Sequence, residues 1–273
     1  MRRLLLGALI AGLAYAVFVF WGLPSRDEIR ALARQNPAKT AVMRQRDAEA
    51  VAAKRKPRTL QTWMPLPRIS RNLVRAVIVA EDARFFGHEG VDWDAIKASL
   101  EKDIEKRRFA QGGSTITQQL AKNLFFSTRK SLTRKAREFI VTAWLEDDLK
   151  KTRILELYLN VIEWGDGVYG CEAAARRYYG KSAAELSPDE AAGLAAMIPN
   201  PRRINPRVDP ARHARAERRV EWLMARAGYV TRDIGKLGAE PPPPEPEDGN
   251  GPEPTEPDDT PAPAAAEATP TPR

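Results

Sequence analysis

Residues 4–23, LLLGALIAGLAYAVFVFWGL, run for twenty positions without a charge. At about 1.5 Å of rise per helical residue, that run matches the ~30 Å hydrocarbon core of a bilayer, so the chain must place one helix across a membrane before anything else folds. A cleaved signal peptide normally carries an apolar run of only about 7–15 residues and ends in a small-residue cleavage site. Here WGLPSRDE follows instead, which favours a retained anchor. Arg2 and Arg3 precede the run, so residues 1–3 are expected in the cytoplasm and the body outside it, although Arg26 and Arg30 reduce the asymmetry.

Beyond the anchor, composition divides the chain. Residues 24–59 are polar and basic and read as a stalk that supplies reach. Residues 60–229 repeat apolar positions at helical spacing, as in Ile69, Leu73, Ala76, Val77 and Ala80, and again in Ile154, Leu157, Tyr158 and Val161. No strand alternation competes, so a single mainly α domain is expected. Residues 240–273 hold twelve prolines and almost no large apolar side chain, a composition that cannot bury enough surface to fold. That tail has nine acidic residues and one basic, which leaves +16 on residues 1–239. Such a body suits phosphates, anionic lipid or nucleic acid. The single Cys171 excludes an internal disulfide and a cysteine-cluster metal site, and with only His88 and His213 a histidine-based zinc site is not expected.

Five stretches carry chemistry. In RAVIVAEDARFFGHEG a helix runs into Glu81 and Asp82, which point in different directions; an acid beside Phe85 and Phe86 can be tuned as a proton acceptor, and the plain alternative is a solvated helix end. In QGGSTITQQLAKNLFF, Thr115 and Gln118 fit a capping box. Thr115, Gln118, Gln119 and Lys122 line one helix side, with Ile116, Leu120 and Leu124 on another. A helix start with free amides and the Ser114 and Thr115 hydroxyls would cradle phosphate. In RKSLTRKAREF, Arg134 and Lys135 lie one turn before Glu138, the spacing of an ordinary surface salt bridge. ILELYLNVIEWGDGVYG is an amphipathic helix broken by glycines, with Tyr158 and Asn160 expected to face a cleft. LSPDEAAGLAAMIPNP reads as a capped packing helix.

In this order, EDARFFGHEG, GGSTITQQLAKN, RKAREF, ILELYLN and EAAGLAAMIPNP resemble the monofunctional biosynthetic peptidoglycan glycosyltransferases, the domain that also fronts class A penicillin-binding proteins. The resemblance covers about residues 63–206. It implies a lysozyme-like helical domain behind a single anchor, in the bacterial inner membrane with the catalytic domain periplasmic, polymerising lipid II without nucleotide. It implies Glu81 as general base and Glu138 as the second catalytic glutamate. Lys122, Arg134 and Lys135 would stabilise the departing pyrophosphate, while Ser114, Thr115, Asp82, Gln118, Gln119, Asn123 and Asn160 would shape the substrate cleft. Lys130 stands where many relatives carry arginine, which keeps charge but loses the planar fork. No cofactor is implied with certainty, and a divalent cation, Mg or Mn, is compatible with the Glu138 region. The expected partners are lipid II, the growing strand, the membrane and proteins of wall synthesis or division, with no nucleic acid. The segment around Trp93, Ile96, Leu100, Ile104 and Phe109 resembles the family's membrane-touching region.

Other readings fit less of the chain. SLEK and STRK match the first transpeptidase element, but no Lys-Thr/Ser-Gly follows. GKS at 180–182 lacks the leading glycine of a P-loop, where Ala175 stands. A lytic hydrolase shares the helical fold but has no pyrophosphate to hold. A non-enzymatic lipid II or wall-binding scaffold explains the charge and the anchor but leaves both glutamates unexplained.

Overall fold

The computed structural model describes residues 2–93, 97, 114–129 and 131–229. Lys130, the amphipathic segment from residue 94 onward except residue 97, and the 240–273 tail lie outside the described residues. The apolar run forms α1 (Arg2–Trp21), whose large side chains Leu5, Leu9, Leu13, Val17 and Phe20 are exposed. A helix apolar on all sides and uncovered by protein is one that lipid covers.

Residues 24–59, read as a stalk, carry two helices that pack on the domain. Ser25 and Glu28 close a capping box that starts α2 (Arg26–Ala31), and Thr40 caps α3 (Ala41–Ala52). Ile29, Leu32, Val42 and Met43 are buried against the domain. The guanidinium of Arg153 holds the linker between the two helices through the carbonyls of Leu32 and Gln35 and the side chain of Asn36. From α3, Arg46 reaches Glu163 through three bonds of 2.9–3.2 Å, and Gln45 brackets Thr128 through two bonds of 2.8 Å. Four well-spaced apolar residues among many charges gave too weak a periodicity to reveal this packing in the sequence.

The domain is built on α4 (Arg71–Glu81), α5 (Ile116–Phe125), α6 (Leu132–Asp148), α7 (Lys151–Val161), α8 (Cys171–Tyr179), α9 (Pro188–Met197) and α10 (Pro210–Arg226). The mainly helical expectation holds. The core joins Leu73, Phe85, Ile116, Leu120, Leu145, Ile154 and Trp164. Helix α9 is buried from Ala191 to Met197, a run of Ala, Gly, Leu and Met packed between α4 and α10, because small side chains let helix axes approach closely.

The periodicity did not reveal a small sheet. β1 (Leu60–Gln61) pairs parallel with β3 (Val168–Tyr169), which pairs antiparallel with β2 (Glu163–Gly165). The glycines expected only to break a helix make this hairpin: Gly167 has φ +67° in its turn, and Gly170 has φ +79° where any Cβ would meet the Asn160 carbonyl oxygen at 2.7 Å. Gly180 is the left-handed cap ending α8, so the GKS triplet is a helix stop and not a phosphate loop.

The Arg46 and Glu163 pair ties α3 to β2. Burial opposes the charge on Arg46, but the Glu163 carboxylate outweighs it and pushes the guanidinium pKa up. Replacing Arg46 with Met leaves a buried carboxylate without its counter-charge, and a loss of ~3–5 kcal/mol is expected in denaturant unfolding.

Candidate active site

The site is organised around the start of α5. Asp82, the residue after α4, is buried; one carboxylate oxygen accepts the backbone N–H of Ile116 at 3.0 Å and the other lies 2.8 Å from His88 Nε2. Thr115 caps the helix, accepting the Gln118 N–H at 3.3 Å, while Gln118 Oε1 accepts the Thr115 N–H at 3.2 Å. The Thr115 hydroxyl donates to the Gly90 carbonyl at 2.5 Å. The expected capping box is therefore present, and it revises the phosphate cradle: the Ile116 and Gln118 amides are already bonded within the protein. Asp82, Thr115 and Gln118 are structural residues that fix helix α5, a carboxylate at a helix start also meeting the favourable end of its dipole.

That fixing aims Gln119. Its Nε2 donates to Glu81 Oε2 at 2.7 Å, and its Oε1 accepts the Tyr158 hydroxyl at 2.9 Å. Tyr158 is fully buried and does not face the cleft. Burial, reinforced by the charges of Glu81 and Asp82, pushes its phenol well above the usual range, so it remains a donor. A donating phenol forces the Gln119 carbonyl toward itself and the amide nitrogen toward Glu81. Glu81 is thus presented as an oriented carboxylate, half-buried at the end of α4. Asn123 stays on the same helix, donating to the Gln119 carbonyl at 2.8 Å, and Lys122 stands half-buried one turn beyond Gln119. Of the two phenylalanines expected beside Glu81, Phe85 is in the core and Phe86 is exposed.

Asn160 is also not a cleft residue. It is fully buried, accepting the Met64 N–H at 2.7 Å and donating to the Met64 and Glu156 carbonyls at 2.9 and 2.8 Å. It holds the entry strand segment onto α7, a role invisible in sequence because its partner lies 96 positions away.

On α6, Glu138 is buried rather than at the surface, with only 3% of its side chain exposed. Arg134 forms an ion pair with it from one turn earlier, and Lys135 Nζ lies 3.7 Å from its second oxygen. Lys135 Nζ also donates to Ser114 Oγ at 3.0 Å. Two cations, one largely exposed, are therefore ordered around a buried carboxylate beside the start of α5. Arg219, one of several arginines on α10, carries no motif signal in the sequence. It is half-buried; desolvation pushes its guanidinium pKa down while the charge of Glu81 pulls it back up, which places the two within electrostatic reach.

Asp82, His88 and Asp92 bring one ligand-type atom each within 4.8 Å of one another. Each is engaged by protein: His88 bonds Asp82, and Asp92 receives two bonds from Arg84 at 2.9 and 2.6 Å. This cluster locks the 82–92 loop.

A carboxylate oriented at the end of α4 and cations ordered around Glu138 on α6 share a helical domain behind one apolar helix, the architecture of the transglycosylase class. The family model described as Transglycosylase matches residues 47–227, and the chain belongs to that family. The protein named biosynthetic peptidoglycan transglycosylase from Azoarcus sp. (strain BH72) is 47% identical over 212 residues, covering 77% of this chain and 92% of that relative. Those of the same name from Dechloromonas aromatica (strain RCB) and Aromatoleum aromaticum (strain DSM 19018 / LMG 30748 / EbN1) are 54% identical over 167 residues and 50% over 196 residues, covering 61% and 72% of this chain and 72% and 84% of the relatives.

The bridge from Tyr158 makes a specific claim. Tyr158→Phe removes the donor that fixes the Gln119 amide, so turnover should fall about tenfold with a smaller change in KM, while the helical circular dichroism is retained.

Proposed function

We propose that this peptidoglycan transglycosylase polymerises lipid II, with the growing undecaprenyl-pyrophosphate-linked glycan as donor and the C4 hydroxyl of lipid II as acceptor. Glu81 takes the hydroxyl proton as the oxygen attacks the anomeric carbon. The new β-1,4 bond forms as the α-linked bond to pyrophosphate breaks, and the electron pair leaves on the pyrophosphate oxygen. A pyrophosphate leaves without protonation if its charge is met, and Arg134, Lys135 and Lys122 are the cations assigned to meet it, with Lys130 assigned from its motif position alone. Glu138 organises Arg134 and Lys135. Gln119 sets the base, Asn123 lines the cleft on the same helix, and Ser114 holds Lys135.

The observation that carries this reading is the pairing of a base oriented by Gln119 with cations gathered at Glu138. A hydrolase would need an acid for its leaving group, and a scaffold would need neither carboxylate oriented. The apolar α1 supports a single-pass protein of the bacterial inner membrane, with its N-terminus inside and the domain periplasmic, where proteins of wall synthesis or division are its partners.

The test is polymerisation of labelled lipid II by the detergent-solubilised full chain without nucleotide. Wild type should make long strands that lysozyme digests, and Glu81→Gln should lower the rate by about 10²–10⁴-fold. Lys135→Ala, which removes one of the cations, should lower turnover by about 10²-fold while leaving lipid II binding measurable. Binding without strand formation by wild type would instead support the scaffold.

A further inference from the structure

The same helix that carries Arg134, Lys135 and Glu138 also grips the end of the membrane helix. From α6, Arg137 donates through Nε to the Val19 carbonyl at 3.0 Å and through Nη2 to the Phe18 carbonyl at 2.6 Å, with its guanidinium 5.0 Å from the Phe18 ring centroid. These carbonyls belong to the last turn of α1, which carries the negative end of its dipole; Val19 also accepts the Gly22 N–H at 3.4 Å, so Arg137 adds a second donor there. A Cβ on Gly22 would meet that guanidinium, so a larger residue there would push the Arg137 head group off the α1 carbonyls. One turn earlier on α6, Thr133 Oγ1 lies 3.4 Å from Tyr15 Oη. Further along, Asp147 and Asp148 pair with Arg26, whose guanidinium lies 5.5 Å from the Trp144 ring. The anchor is therefore held along one side of α6 and not joined by a loose tether.

We infer that Arg137 is a positioning residue that locks the exit of α1 to α6, so that Arg134 and Lys135 stand at the depth where a polyprenyl pyrophosphate emerges from the bilayer. The depth match follows from chemistry. The pyrophosphate of a lipid-linked sugar sits where hydrocarbon gives way to water, and the last turn of a spanning helix, with Phe18, Phe20 and Trp21, sits at that same boundary. One turn of α6 separates Arg134 from Glu138, and Arg137 lies within that turn. The inference rests on the reading that these cations receive pyrophosphate.

The test uses the full chain in phosphatidylglycerol–phosphatidylethanolamine vesicles. Spin labels on Val17→Cys and Ala143→Cys, both exposed positions, report the α1-to-α6 distance, the native Cys171 being buried. The distribution should be narrow in wild type, broad in Arg137→Leu and intermediate in Arg137→Lys. In parallel, kcat/KM of Arg137→Leu should fall about tenfold on vesicle-embedded lipid II and less than about twofold on a short-chain, water-soluble lipid II analogue. Gly22→Val, which alters no residue of the catalytic domain, should reproduce both changes. A narrow distribution in Arg137→Leu, or equal losses on the two substrates, overturns the inference. Failure of wild type to make strands from either substrate would overturn the polymerase reading, while the spin-label distances would still decide whether the clamp exists.

Discussion

A buried carboxylate at the start of a helix sets the geometry of this protein. Asp82 joins the end of α4 to the first amide of α5, and a charge placed there is both solvated by the helix and committed to one position. Its neighbour Glu81 is fixed by the same bond, and Gln119, one turn into α5, meets Glu81 because the helix start cannot slide. The capping box at Thr115 and Gln118 closes the remaining freedom. The motif residues around Glu81 therefore divide their labour. Some hold the scaffold, and only a few are left to meet substrate.

The two glutamates differ in environment, and that difference suits two roles. Glu81 is half-exposed and accepts the Gln119 side-chain amide, the environment of a carboxylate that can take a proton. Glu138 is buried and engaged by Arg134 and Lys135, so it is committed to holding cations. Oriented cations in a partly desolvated site stabilise charge on a leaving group far better than cations free in water. A polymerase working on a pyrophosphate donor needs this division, in which one carboxylate moves a proton and the other arranges positive charge.

The domain does not end where its catalytic motifs begin. Helices α2 and α3 lie on it, with Arg46 committed to Glu163 and Arg153 to the chain between them, and α1 meets α6 through Arg137. Substrate and product both remain lipid-linked in this chemistry. An enzyme that works at the bilayer surface gains from fixing its height there, because a misplacement of about 1 Å can cost a large factor in rate.

The sequence alone determined the apolar N-terminal helix, the mainly helical class and the capping box. Each of these is written in local spacing or in a contiguous motif. Tertiary structure decided what those residues do. Asn160 and Tyr158 look like cleft residues in the ILELYLN run, yet the first holds Met64 and the second stands behind Gln119. Residues 24–59 look like a tether and are instead packed helices. The charge of Arg137 is legible in RKAREF, but nothing local shows that it reaches Val19, 118 positions earlier. Short-range pattern fixes helices and the faces they present; which face meets which partner depends on burial and hydrogen bonds between distant segments, and these exist only once the chain has closed on itself.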